Sequence, residues 1–109
     1  MLAPEVIVDE EGVTLHRGSK AWWRFDVHPG ERYAGIVRGS DNFEGLLLTE
    51  RQFAAWHRGE SPASLASETG NAFEFRKKAT DFETWYLCVS TGAWISPIEV
   101  SIRVKKTAS

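Results

Sequence analysis

Apolar and polar residues alternate most cleanly in the last third of the chain, in Phe73-Glu74-Phe75-Arg76, in Trp85-Tyr86-Leu87-Cys88-Val89 and in Ile98-Glu99-Val100-Ser101-Ile102-Arg103-Val104. A period of two sends one set of side chains to a buried face and the other to water, as half-buried antiparallel strands require. The same alternation marks Trp22 to His28, with Trp23, Phe25 and Val27 on one side, before the turn His28-Pro29-Gly30-Glu31. Arg32 to Arg38 reads as the next strand, in which Gly35 marks a bulge or a close backbone approach. At the start of the chain, Glu5 to Val8 and Val13 to His16 flank Asp9-Glu10-Glu11-Gly12, which reads as a hairpin with an acidic turn.

After the polar turn Gly39-Ser40-Asp41-Asn42, the run Phe43 to Leu48 is apolar enough for a central strand, although its alternation is lost. Thr49 and Gln52 then stand three apart, the spacing of a helix capping box, with Phe53 and Trp56 at helical spacing behind them. One short helix near 50–58, closed by Gly59, follows from this. Residues 61–71, rich in Ser, Ala and Glu and carrying Pro62, read as a surface loop.

Seven or eight short strands with one helix predict an all-β fold, an antiparallel two-sheet β-sandwich of jelly-roll type, with a small barrel as the second choice. The whole chain, 1–109, forms a single domain on this reading, long enough for a core without disulfide staples. The predicted core draws on Trp23, Phe25, Val37, Leu46, Leu48, Phe53, Phe73, Phe75, Trp85, Leu87, Val89, Ile98, Val100, Ile102 and Val104.

Composition narrows the function classes. Thirteen basic residues against fifteen acidic ones leave a formal charge of −2, which argues against a nucleic-acid footprint over the whole domain. The single cysteine, Cys88, excludes an intramolecular disulfide and a cysteine-built zinc site. Met1-Leu2-Ala3-Pro4-Glu5 shows neither the basic head nor the apolar run of a secretory signal, and no segment approaches the roughly 18 apolar residues of a membrane span. A cytoplasmic protein with no transmembrane segment is the expectation.

The order of features from Trp23 to Val104 resembles the small jelly-roll sandwiches of the GOLD domain and the bacterial pre-peptidase C-terminal domain. Pro29-Gly30 precedes a strand, Gly45-Leu46-Leu47-Leu48 leads to Gln52-Phe53, and Trp85-Tyr86-Leu87-Cys88-Val89 comes before an alternating final strand. The resemblance implies non-catalytic binding and nominates no site residue. The chain departs from the secreted pre-peptidase modules in showing no signal.

Candidate chemistry is sparse. Asp26 and His28 share the polar face of one strand, and His16 on a neighbouring strand would complete a set for acid–base or metal chemistry, the basis for reading the chain as a small metal-dependent or hydrolytic enzyme. The plainer reading is a solvated strand face, so no catalytic, metal or cofactor residue is assigned and the expectation is a non-enzyme. The loop of Asp41, Asn42 and Glu44 gathers oxygen ligands suited to calcium, but Asp and Asn are also ordinary turn residues. Arg76-Lys77-Lys78 and Lys105-Lys106 are two basic runs that would suit an acidic partner or a phosphate, or simply be solvated. Surplus aromatics are the better signal. Trp22 and Tyr86 project opposite to the core residues of their strands, and Trp94 and Ile95 lie in the loop before the last strand, where Trp94 either folds back as a plug over the end of the core or meets a partner. These four are the candidate partner-binding residues of an accessory or regulatory protein-interaction module that meets a partner or self-associates. A carbohydrate-binding module with exposed aromatics is the alternative.

Overall fold

A computed structural model describes residues 4–91 and 97–107. The elements are β1 (Glu5–Leu15), β2 (Lys20–Val27), β3 (Arg32–Thr49), the helix α1 (Glu50–His57), β4 (Ala66–Lys78), β5 (Glu83–Ser90) and β6 (Ile98–Thr107). The strands form one antiparallel six-stranded sheet in the order β1-β6-β3-β5-β2, with β4 on the other edge of β3, curled into a half-barrel. Among the described residues no helix is long and apolar enough to cross a membrane.

The sheet curls because β3, 18 residues long, serves two sets of neighbours. Its first half, Arg32 to Gly39, pairs with β6, and its second half, Glu44 to Thr49, pairs with β5. β4 accompanies it from Arg32 to Leu47 with a register break between Arg38 and Phe43. The polar segment 39–42 is therefore a bulge within one strand instead of a turn between two, and Ser40 Oγ accepts a hydrogen bond from Glu99 N at 3.0 Å to hold it against β6. The acidic segment at the start of the chain behaves likewise. Gly12, at φ +65°, sits in the register break between Glu10 and Val13 within the continuous strand β1. Two expected strand pairs thus become two bulged strands, and the described strands number six instead of seven or eight. The expected loop over 61–71 is shorter as well, since β4 begins at Ala66.

Odd-numbered side chains of β2, β3, β4 and β5 and even-numbered ones of β6 fill the concave side. Phe25, Val27, Tyr33, Val37, Leu47, Phe73, Trp85, Leu87, Ile102 and Val104 are all buried there. Two glycines of β3 make room for the rings of β4. A Cβ on Gly35 would come within 2.2 Å of Phe75, and one on Gly45 within 2.5 Å of Phe73, so only glycine lets these rings lie on the β3 backbone. Trp23 is half-buried against this core, and its Nε1 donates to Glu10 Oε2 at 2.7 Å, which draws the edge strand β2 towards the edge strand β1.

Three consecutive leucines defeat the periodicity in β3. Leu47 enters the main core, whereas Leu48 and Leu46 turn to the convex side with Phe53, Trp56, Tyr86 and Cys88 beneath α1. Leu46, Leu48 and Phe53 accordingly belong to a second cluster instead of the main core. β5 is buried on both faces because the half-barrel core lies on one side and the helix on the other.

Candidate functional site

The helix is placed by its N-cap residue, the last of β3. Thr49 Oγ1 accepts from Gln52 N at 3.3 Å and Gln52 Oε1 accepts from Thr49 N at 3.0 Å, the reciprocal capping box predicted from the spacing. The last turn closes with Gly59 N donating to Trp56 O at 3.0 Å, Gly59 taking φ +89°. Between these ends Phe53, Trp56 and His57 fall on the face towards β5 and β2.

Phe53 stacks on Tyr86 with centroids 4.0 Å apart, and His57 stacks on Phe53 at 5.6 Å. Trp22, on β2, meets Phe53 edge-on at 5.2 Å and His57 at 5.0 Å. Lys20 Nζ lies 4.6 Å from the Trp56 ring centroid and donates to Trp56 O at 3.3 Å, so one cation ties the start of β2 to the end of the helix. The product is an aromatic surface of Trp22, 41% exposed, with Phe53 and His57, built on a floor of Tyr86 and Trp56. Such rings are preorganised, because each is held by another before any partner arrives.

Of the four predicted partner-binding residues, Trp22 takes the exposed position expected. Tyr86 does project away from the main core, but α1 covers it to 7% exposure, so it supports the surface from beneath instead of lining it. Trp94 and Ile95 lie outside the described residues. Phe53 and His57 were not among the candidates. Their signal was present in the sequence as an aromatic i, i+4 pair on a capped helix, but nothing in that spacing says which strand the helix packs on.

Burial pushes the Cys88 thiol up to about 12, against a smaller opposing influence from the Lys20 charge, and its Sγ lies 3.8 Å from Tyr86 O. It is buried under the helix, in keeping with its place in a core strand. Burial likewise pushes the Tyr33 phenol up to about 12, with the Glu31 carboxylate adding to the rise. The Tyr33 hydroxyl donates to Glu31 Oε2 at 2.8 Å and accepts from His28 N at 3.0 Å, fixing the turn between β2 and β3.

The histidine set is not assembled. His16 precedes β2 and His28 follows it, so the strand separates them by roughly 25 Å. Asp26 Oδ1 accepts from Thr84 Oγ1 at 2.9 Å, and His28 meets the exposed ring of Phe82 edge-on at 4.7 Å. Among the described residues no group of three or more His, Cys, Asp or Glu side chains is placed to hold a metal ion. In the segment weighed as a calcium loop, Asp41 Oδ1 accepts from Asn42 N at 2.7 Å. The two basic runs, by contrast, converge. Ala34 of β3 pairs with Arg76 on one side and Lys105 on the other, beside a depression of about 400 Å3.

No protein-family model matches the sequence, and no curated protein matches it.

Proposed function

We propose that this chain is a non-catalytic protein-interaction module whose docking surface is centred on Trp22, with Phe53 and His57 beside it. The observation that carries the reading is a tryptophan 41% exposed on a strand that ends the sheet order, already locked edge-on against two other rings. A rigid aromatic of this kind binds at low entropic cost and is the residue type that anchors interface centres. The partner is a separate protein or a second copy of the chain. Within the same reading the β1–β6 and β2–β5 arms act as the two layers of a jelly-roll-like sandwich of the GOLD and pre-peptidase kind. A cytoplasmic setting agrees with a lone, buried, reduced Cys88.

The test compares wild type with Trp22→Ala by sedimentation for self-association and by cross-linked capture followed by an affinity measurement for a partner. Loss of about thirtyfold or more in affinity, the effect of a ~2 kcal/mol anchor, is expected with an unchanged melting midpoint. Association that survives Trp22→Ala at full strength defeats this reading.

Carbohydrate binding is the second reading, favoured by Phe82, 68% exposed beside His28 at the far end of β2 from Trp22. Binding on a glycan array that is lost in both Trp22→Ala and Phe82→Ala would select it over protein docking.

A further inference from the structure

We propose that the convex face shared by β3, β4 and β6 binds an oligophosphate anion, gripped by Arg32, Arg76, Lys78 and Lys105 over the small side chain of Ala34.

The site comes from register. Arg32 and Ala34 alternate along β3 with the buried Tyr33 and so point to the convex side. Across from Arg32 stands Lys78, and across from Ala34 stand Arg76 on β4 and Lys105 on β6. With strands spaced about 4.8 Å and same-face residues about 7 Å apart, Lys78, Arg76 and Lys105 take three corners of a patch roughly 10 by 7 Å, Thr107 takes the fourth, and Arg32 stands midway between Lys78 and Thr107. Ala34, between Arg76 and Lys105, leaves that side of the patch open. The depression there, about 400 Å3, is lined by Arg32, Arg76, Lys78 and Lys105 with Lys77 at its edge, and the depression adjoining it over Ala34, Arg76 and Lys105 takes in one carboxylate, Glu74.

Four of the thirteen basic residues of a chain with formal charge −2 thus share one face, while Lys77, paired with the inward Tyr33, falls on the opposite phase of β4. The ion pairs among the described residues engage Arg58, Arg103 and Lys106, and none of these four. Lysines on an exposed edge strand guard against strand-to-strand aggregation, which would account for Lys77 and Lys78 on β4. It does not account for Arg32 and Lys105, which stand on strands paired on both sides. Like charges directly opposite one another, as Arg32 and Lys78 are, destabilise a sheet, and a bound anion removes that repulsion.

The chemistry of the lining selects the anion. The depression offers no exposed aromatic on which a base would stack, as single-stranded nucleic acid binders provide, and no large apolar anchor of the kind a protein interface centres on. It offers guanidinium forks and ammonium groups, the donors that match phosphoryl oxygens.

The experiment is calorimetric titration of the whole chain with tripolyphosphate at low ionic strength, with melting followed in parallel. Saturable binding that weakens as salt rises and lifts the melting midpoint is expected. Arg76→Ala and Lys105→Ala should each lower affinity about tenfold or more while remaining folded by circular dichroism, since each removes a charge-assisted contact. Arg58→Ala, at the end of α1, should leave affinity unchanged. A nucleoside triphosphate that binds equally well identifies the phosphate chain as the recognised group, and one that binds more tightly identifies a nucleotide as its carrier. The proposal is overturned by an absence of saturable binding at millimolar tripolyphosphate, or by an equal loss in Arg58→Ala. It is also overturned if an oligonucleotide or an acidic peptide binds where tripolyphosphate does not.

Discussion

Phe53 lies flat on Tyr86, with ring centroids 4.0 Å apart and planes 8° from parallel, and this contact fastens the only helix among the described residues to the convex side of β5. Tyr86 would otherwise be an exposed ring, and Cys88 next to it in the cluster would meet solvent. Phe53→Ala should cost about 2–3 kcal/mol, combining lost burial with a stacking contribution of about 1 kcal/mol. Because the helix seat loosens first, native-state labelling of Cys88 by a thiol reagent should accelerate along with the fall in the denaturant midpoint. A variant with wild-type stability and wild-type Cys88 protection would show that the helix is held elsewhere.

Cys88 and Tyr33 both carry protons in the fold at pH values where the unfolded chain has released them. A raised acid pKa means that stability is fully present below the unfolded value, near 9 for the thiol, and is lost as pH climbs towards about 12. The expected slope is negative above pH 9 for the thiol and above pH 10 for the phenol, with a ceiling of about 1.4 kcal/mol per pH unit for each group. Urea unfolding between pH 7 and 11 checks this, and Cys88→Ala should flatten the lower part of the decline.

Gly35→Ala is expected to destabilise the fold by about 2–3 kcal/mol through overpacking, because the added methyl meets the Phe75 ring. The paired substitution Gly35→Ala with Phe75→Leu should recover part of this loss, as a double-mutant cycle would register. Equal effects with and without Phe75 would place the strain in the backbone instead.

The two tryptophans expected in the core separate on burial. Trp85→Ala, at a position 4% exposed, should cost about 3–5 kcal/mol. Trp23→Ala should cost roughly half as much, since that ring is half-buried over the β1–β2 seam and shares its hydrogen bond with an exposed Glu10. Denaturant melts that rank them in the opposite order would place the seam at the centre of stability.

Local alternation was sufficient to read β2, β5 and β6 and their inward residues, because a strand with one wet face writes its period into the chain. The capping box of α1 was legible for a similar reason, since Thr49 and Gln52 satisfy backbone groups within four residues of each other. The fate of each glycine-bearing polar segment was not local. Gly12 at a positive φ serves a turn or a bulge equally well, and only the length of β6, able to pair with both halves of β1, chose the bulge. Likewise, nothing near Tyr86 in the chain records that a helix about thirty residues earlier covers it. The meeting of Arg76 with Lys105 across Ala34 is decided by strand order and register alone, which are properties of the folded sheet. Sequence by itself determined that the alternating segments of β2, β5 and β6 are strands and which of their residues turn inward, because an alternating run records its two faces in neighbours along the chain. Tertiary structure alone decided which outward faces are covered and which charges converge, because those depend on neighbours across the sheet.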